Sequence, residues 1–524
     1  MRVLLINPFY PLTEMPSPPL GLAYVAGAFA EAGAEVRVLD LVVEAYSELK
    51  LEQLLGDFNP NIVGITSVTM TYNSACELLK IVKKLRPEIT TLMGGPHVTF
   101  NARASLRDHP ELDMAVLGEG EATIAELCKS FSSGSNLASI AGLAYRDDQG
   151  IRITETRASS LNVNSAPMPA RHLLPMGRYK ALGLAASMIT SRGCPFKCVF
   201  CVGRKMSGAK VRYRDPISVV DEMEHLSREG FVQINIADDL FTAKKKHCYA
   251  ICDEIVRRGL TIPWTVFSRA NTISAELLSR LKQAGCAHIS FGFESGNEDI
   301  LKTVQKRITT DQMLNAARLC AQAGIPSQAS FISGLPGETE ETLRQTAAFA
   351  DRINEIGTAV GFHILAPFPG TPVRDDAEEL GLRILSTDWS RYTANEAVIE
   401  TDGASAAMLE KDANELQIKA NKHVAAIQQR IADKSASIQE QQNMRKLTKM
   451  KVFYEMMMDD MLLTCTDPDV QAEPSISHRD HLLATMENKI TVAPSLMREF
   501  LDEGLIDGSI LQPDNLSQDT WAWA

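Results

Sequence analysis

Short apolar, β-branched runs alternate with amphipathic stretches along roughly the first 385 residues, and nothing else limits the fold of this chain so strongly. Residues 2–7, 35–40, 62–67, 90–94 and 114–117 read as strands. Amphipathic helices are expected near 20–33, 44–56, 72–86, 100–108 and 120–131. Parallel neighbours need a crossover helix to join them, so five such β/α units predict an α/β fold: a doubly wound, Rossmann-like parallel sheet. Residues 139–145 and 150–155, joined around Asp147-Asp148-Gln149-Gly150, read as a terminal hairpin. Residues 158–182 carry Ser, Asn, Pro and Met without a period and read as a linker.

A second series follows, with strands expected at 185–191, 232–237, 263–268, 287–293, 326–332 and 359–366. Six β/α units are two short of a closed eight-fold barrel, so a partial (β/α)6 TIM barrel is expected. Residues 408–463 are nearly free of Gly and Pro and rich in Ala, Gln, Lys and Met, which predicts helix. The tail 465–524 reads as less regular, with turn signals at Asp467-Pro468 and Gln512-Pro513-Asp514. The expected division is therefore 1–157, a linker at 158–182, a barrel at 183–390 and a mostly helical part at 391–524. No repeat of solenoid period is present.

Composition excludes several classes. With 45% hydrophobic and 23% charged residues the chain is globular rather than disordered. Its longest apolar runs, such as Val3-Leu4-Leu5-Ile6, are too short to span a membrane. Arg2 is not followed by the apolar region and cleavage site of a secretion signal, so a cytoplasmic location is expected. A net charge of −12, from 65 acidic and 53 basic residues, argues against a nucleic-acid partner. Ten cysteines in such a chain point to metal binding before a disulfide framework.

Three of those cysteines dominate the chemistry: Ser191-Arg-Gly-Cys194-Pro-Phe-Lys-Cys198-Val-Phe-Cys201, directly after a predicted strand. A short loop opened by Gly193 and Pro195 can wrap three soft thiolates around one iron–sulfur cube, because soft sulfur selects iron–sulfur or zinc. Three ligands are one fewer than a [4Fe–4S] cluster needs, and no close Cys pair offers the fourth, so one iron would stay open. A zinc site completed by His172 or a distant Cys, and a redox pair, are the alternatives.

A CxxxCxxC loop after the first strand of a six-fold β/α series resembles the radical S-adenosylmethionine (SAM) superfamily. The aromatic Phe200 before the third cysteine fits that likeness, as do motifs at later strand ends: Asp238-Asp239-Leu-Phe241, Gly292-Phe-Glu294-Ser295, Gly334-Leu-Pro336-Gly337-Glu338 and Pro367-Phe-Pro369-Gly370-Thr371. The resemblance implies a [4Fe–4S] cluster on Cys194, Cys198 and Cys201 whose open iron is chelated by SAM. One-electron reduction, from a donor such as flavodoxin or ferredoxin, would then yield methionine and a 5′-deoxyadenosyl radical. It also implies SAM contacts at Phe200, Glu294, Ser295, Gly334, Pro336 and Gly337. Arg269, after the third strand, suits the SAM carboxylate. One departure stands out: many relatives carry Gly-Gly-Glu where this chain has Ala237-Asp238-Asp239.

In open α/β sheets ligands bind at the carboxyl ends of the strands. Here those ends read Asn7-Pro8, Thr66-Ser67, Gly94-Gly95-Pro96-His97 and Gly118-Glu119-Gly120-Glu121, without a GxGxxG or Walker pattern. With Pro18-Pro19-Leu20-Gly21-Leu22 entering the first helix, this order resembles the cobalamin-binding domains fused to radical SAM enzymes. The likeness implies cobalamin contacts at Asn7, Pro8, Ser67, Gly94, Gly95, His97, Gly118 and Glu119. The Asp-x-His-x-x-Gly loop of some cobalamin proteins is missing, and His97 is expected to pack in its loop or touch the cofactor rather than ligate cobalt.

Weaker signals read as structure. Cys248 and Cys252 share a helix face, and Cys286 and Cys320 sit at a turn and in a helix; all four are expected in the core. The methionine-dense stretch from Met444 to Met461 is expected to pack on the barrel, a lid over an apolar substrate being the other option. Lys244-Lys245-Lys246 reads as a solvated helix start. His363 reaches either the barrel mouth or the core. No side chain is singled out as a catalytic acid, base or nucleophile.

The resemblance implies a cobalamin-dependent methyltransferase acting on an unactivated carbon or phosphorus centre of a small molecule, natural product or lipid. SAM would methylate cob(I)alamin, and a substrate radical would take the methyl group. Another radical outcome (cyclisation, dehydration or carbon–carbon coupling) is the nearer alternative; a non-catalytic iron–sulfur or cobalamin sensor is the further one.

Overall fold

The computed structural model describes residues 1–11, 16–157, 162–464, 478–511 and 521–523. Its first series runs β1 (Arg2–Asn7), α1 (Leu20–Glu31), β2 (Glu35–Asp40), α2 (Glu48–Phe58), β3 (Ile62–Thr66), α3 (Tyr72–Leu85), β4 (Thr90–Gly94), α4 (Pro96–Asp108), β5 (Met114–Val116) and α5 (Glu121–Ser133). The antiparallel hairpin β6 (Leu143–Asp147) and β7 (Gly150–Ile153) follows. α2 starts later than its periodicity predicts because Ser47 caps it, accepting from the Lys50 N–H, and it ends at left-handed Asn59.

The strand order is β2-β1-β3-β4-β5-β6-β7. Alternate residues of β1 bury opposite faces: Val3 and Leu5 pack with Leu22, Phe29 and Ile124, while Leu4 and Ile6 pack with Leu51, Leu55, Phe58 and Leu79. A sheet covered on both sides needs apolar residues at every position, which is why these strands read as continuous apolar runs. The order reverses between β1 and β3, and such a switch point opens a crevice beyond the strands' carboxyl ends.

The expected linker is ordered where it is described. It forms α6 (Met176–Ala181) and buries Tyr179, whose hydroxyl donates to Asp40 Oδ2 at 2.8 Å. Arg171 and Arg214 flank Glu222 at 2.6 and 2.5 Å in a buried ion triad, which pins this segment to the barrel.

The second series begins with β8 (Ala186–Met188). A two-residue ladder, β9 (Ser191–Arg192) with β10 (Arg212–Tyr213), encloses α7 (Gly203–Ser207). Then come α8 (Pro216–Arg228), β11 (Ile234–Ile236), α9 (Lys245–Arg258), β12 (Trp264–Ser268), α10 (Ala275–Gln283), β13 (Cys286–Glu294), α11 (Glu298–Thr303), α12 (Thr310–Ala323), β14 (Ser327–Ser333), α13 (Glu340–Glu355), β15 (Ala359–Ile364) and α14 (Pro372–Asp375). All six long-series strands are parallel, in the order β15-β14-β13-β12-β11-β8, so the barrel is open between β8 and β15. Cys248, Cys252, Cys286 and Cys320 are buried in its outer core, as expected.

A small antiparallel pair, β16 (Leu382–Ile384) and β17 (Ile399–Thr401), precedes the helices α15 (Ala406–Ala432), α16 (Ile438–Met458), α17 (Met461–Thr464), α18 (His478–Lys489) and α19 (Pro494–Ile506). The chain closes with the pair β18 (Ile510–Leu511) and β19 (Ala522–Trp523). The tail is thus more helical than its sequence suggests; both turn signals named for it lie outside the described residues. Met456, Met457, Met461, Met486 and Met497 are buried with Phe453 and Phe500. Those methionines build a core rather than a lid. Among the described residues no helix is long and apolar enough to cross a membrane.

Candidate active site

The three cysteines lie on the loop between β9 and β10, and none is in a disulfide. Gly193 opens it at φ +112°, where a Cβ would stand 2.7 Å from the Lys210 carbonyl, so only glycine lets the loop's two limbs meet. Two adjacent carboxylates clamp its base. Asp238, fully buried, accepts from Thr190 N, Thr190 Oγ1, Ser191 N and Ser191 Oγ at 2.6, 2.6, 3.1 and 2.7 Å. Asp239 accepts from the Gly193 N–H at 3.0 Å. The residues standing in place of Gly-Gly-Glu are therefore tied into the cysteine loop. Sequence reasoning had assigned them no role.

Among the described residues no three Cys, His, Asp or Glu side chains are drawn together as a ready metal group. The donor chemistry nevertheless suits a cluster. Burial lifts the Cys194 and Cys201 thiols above their ordinary range, and a soft metal would displace those protons. Gly203 N–H donates to Cys201 Sγ at 3.3 Å, and Arg269 Nη1 reaches Cys198 Sγ at 3.8 Å; both suit thiolates better than thiols.

The residues expected around SAM divide. Arg269 stacks on Phe196 at 3.6 Å and donates to the Lys306 carbonyl. Glu294 ends β13 at φ +71°, in a register shift against β14, and binds Lys306 Nζ at 2.5 Å inside the protein. A bulky residue held left-handed is strained, and strain of this kind concentrates at functional sites. Lys306, which the motifs did not single out, also stands 5.9 Å from the Phe200 ring. Gly334 and Gly337 carry positive φ, and Gly334 N–H donates to the buried Glu338 carboxylate at 2.6 Å, with Pro336 between them in the turn. Burial pushes Glu338 up to about 8. Ser295 is the exception: its hydroxyl faces Thr346 on α13 at 3.1 Å, inside the core.

Below this rim the barrel lumen is polar. Strand register aligns Ser187, Asn235, Thr265 and His288 across β8, β11, β12 and β13. It aligns Phe267, Ser290 and Gln328 one level up, and Ile332 with His363 nearer the mouth. These residues keep some exposure, while the alternating Ile236, Val266, Phe291, Ala329 and Phe331 are buried outward. Closed eight-fold barrels fill the same positions with bulky aliphatics. The lining here is mostly hydrogen-bonding groups, His363 among them, with Phe267 and Ile332 as its apolar members.

Above the rim lies a cavity of about 810 Å³, at the upper end of the roughly 300–1,000 Å³ of small-molecule sites. One wall is the switch point of the first sheet, with Asn7, Pro8, Gly94, Gly95, Gly118 and Glu119; the other is the barrel, with Ser191, Arg192, Ser207 and Asp239. Cβ atoms placed on Gly21, Gly94 or Gly118 would meet nothing within 4 Å, so three glycines leave that wall recessed for a large ligand. The strap carrying Tyr392 and Thr393 closes one side, tied to α3 by Asn73 donating to Asp388 at 2.8 Å.

Two expected contacts, Ser67 and His97, fall outside the cavity lining, and a third, Glu119, is already paired within it. Ser67 is fully buried, its carbonyl 2.3 Å from where a Gly95 Cβ would stand; Gly95 (φ +108°) permits that backbone approach. Glu119 lines the cavity, but its carboxylate is occupied by Arg212. His97 is fully buried off the cavity, stacked on Tyr72 at 3.9 Å and edge-on to Trp389 at 4.9 Å. No histidine lines the cavity among the described residues. Asn7 is also partly committed, donating to Asp40 Oδ1 at 2.8 Å.

Burial holds His97 down to about 3, helped by the nearby Arg374 and His109 charges. An unfolded histidine takes its proton near 6.5, so between that pH and about 3 the unfolded chain binds more protons and stability falls as the solution is acidified. His97→Phe keeps the ring stack and removes the proton. The gap in urea midpoint between wild type and H97F is expected to shift in the variant's favour from pH 7 to pH 5; a constant gap would show that His97 does not titrate this way.

Comparison with known proteins accords with the geometry. The radical SAM superfamily model matches residues 188–350, and the B12 binding domain model matches residues 13–128. An uncharacterized methyltransferase of Pyrococcus horikoshii is 37% identical over 73% of this chain and 83% of its own length. The anaerobic magnesium-protoporphyrin IX monomethyl ester cyclase of Cereibacter sphaeroides is 32% identical over 75% of this chain and 66% of its own. Among solved structures, the cobalamin-dependent S-adenosylmethionine radical enzyme OxsB superposes with a TM-score of 0.68 over 98% of this chain and 82% of its own, at 17% identity, a likeness of fold. The chain belongs to the radical SAM superfamily, among the enzymes that carry a cobalamin-binding domain. Its cofactors are a [4Fe–4S] cluster, SAM and cobalamin.

Proposed function

We propose that this radical SAM enzyme transfers a methyl group to an unactivated carbon or phosphorus centre of a small molecule. The observation that carries the reading is the shared cavity: the switch point of the first sheet and the base of the cysteine loop line one space. A 37% identical relative that bears a methyltransferase name supports it. In this reading Cys194, Cys198 and Cys201 hold the cluster, and the recessed wall at Gly21, Gly94 and Gly118 receives cobalamin without a histidine lower ligand. When bound, the cluster and SAM supply a carbon-centred radical, and cobalamin supplies the methyl group.

The chain's own residues hold and orient. Arg269, with its planar fork beside Cys198, suits the SAM carboxylate, and the Glu294–Lys306 pair offers both charges to a zwitterion. Phe200 and the Gly334-Leu-Pro336-Gly337 turn shape the rest of that pocket. Asn235, Gln328 and His363 present donors and acceptors to a polar substrate in the lumen, while the strap at Tyr392 limits water entry. The division at about 157, 182 and 390 belongs to the same reading, as does a small electron-transfer protein as reductant.

The cyclase name of the 32% identical relative favours a second reading, a radical ring closure without methyl transfer. Turnover with methyl-deuterated SAM separates the two. Deuterated methyl in the product is expected. An unlabelled product formed while 5′-deoxyadenosine accumulates would retire methyl transfer and leave the second reading.

A further inference from the structure

The cysteine loop is gripped at its neck by the other domain. β9 and β10 pair Arg192 with Arg212, and all three cysteines lie on the chain between them. Both arginines reach to the turn after β5. Arg212 binds Glu119 through two contacts, Nη1 to Oε2 at 2.8 Å and Nη2 to Oε1 at 2.6 Å. Arg192 Nη2 binds Glu121 Oε1 at 2.6 Å, and its guanidinium lies 4.8 Å over the Tyr24 ring of α1. The four charged side chains are 5–13% exposed. The two-pronged Arg212–Glu119 pair is geometrically specific, and with so little water around them both pairs are costly to break. Both glutamates and Arg192 also line the large cavity, so its wall and the neck of the cysteine loop are the same few residues.

We propose that Glu119 and Glu121 are positioning residues that clamp the neck of the cluster loop from the cobalamin domain, coupling the state of the cavity to the hold on the cluster. Neither touches the reacting atoms; each acts through an arginine at one end of the loop. Filling the cavity restrains the turn after β5, and the turn restrains the loop. This coupling to the cavity's occupant rests on the cobalamin reading above. The clamp itself does not.

The test is the rate at which an iron chelator strips the cluster from anaerobically reconstituted protein, with and without hydroxocobalamin. Glu119→Gln with Glu121→Gln keeps the shapes and removes both charges. Without cobalamin this double variant is expected to lose iron faster by on the order of tenfold. Asp113→Asn, which breaks the Lys83–Asp113 pair on the far side of the same domain, is expected to release iron at the wild-type rate. If E119Q/E121Q matches wild type, or D113N is equally fast, the clamp is wrong. Should the neutral variant not fold, the exchange Glu119→Arg with Arg212→Glu is expected to lose iron more slowly than either single reversal; no recovery would also overturn the clamp. Added hydroxocobalamin is expected to slow release in wild type and not in E119Q/E121Q, and equal protection of both would refute the coupling. A missing corrin absorbance on the washed protein would instead sink the cobalamin reading, leaving the clamp to the first comparison.

Discussion

Replacing Cys198 by alanine is expected to empty the barrel of its cluster, iron falling from about four per chain to well below one, and to abolish SAM cleavage. Three thiolates are the minimum that holds a cube while leaving one iron for SAM, so no spare ligand can take over. The surroundings make Cys198 the most telling of the three. Its sulfur faces Arg269 at 3.8 Å and the Gln305 carbonyl at 4.0 Å. Neither a guanidinium nor an amide oxygen replaces a soft sulfur ligand. Cys194→Ala and Cys201→Ala are expected to behave alike. Cys248→Ala is the control, since that thiol is buried in α9, bonds the Phe241 carbonyl at 3.3 Å and is no part of the cysteine loop. Iron and sulfide analysis with the visible charge-transfer band reads the result. Full iron in C198A would show that the cluster is held elsewhere, and a colourless zinc-loaded wild type would return the loop to the zinc alternative.

What the sequence makes legible follows range. The strands of both series stand where period and β-branching put them, since a sheet covered on both faces demands apolar residues locally. The cysteine loop stands out by its spacing, because three candidate soft ligands lie within eight residues of one another. Pairings between distant segments were not. Nothing near Lys306 announces that it meets Glu294, and nothing in Gly118-Glu119-Gly120-Glu121 separates a ligand contact from a partner for Arg192 and Arg212. His97 and Ser295 sit in motifs at strand ends, which raised them as contacts, yet their side chains turn into the core beside Tyr72 and Thr346. Strand-end position selects a neighbourhood and leaves side-chain direction to the packing. The strap at Trp389–Tyr392 carries no motif, although it closes the cavity and meets His97 edge-on.

Asp238 is where the departure from Gly-Gly-Glu has its largest expected consequence. Its Oδ1 accepts the Thr190 and Ser191 N–H groups and its Oδ2 accepts the two hydroxyls, so one fully buried side chain ends β8 and aims the cysteine loop. Asp238→Ala orphans two amides and two hydroxyls of the buried Thr190 and Ser191. Each orphan costs about 1–3 kcal/mol, and because hydroxyls can turn to other partners a total of roughly 3–5 kcal/mol is expected. Asp238→Asn separates geometry from charge. Its amide oxygen can keep both N–H bonds, and its NH2 can donate to hydroxyls that rotate to accept. The environment favours that exchange, since burial raises the Asp238 pKa against only the hydrogen bonds that lower it. The expected order is therefore wild type close to D238N, with D238A far below in both unfolding midpoint and iron retained after desalting. If D238N loses its cluster as D238A does while remaining folded, the negative charge is what matters, and Asp238 is a partner for a cation rather than the anchor of the loop.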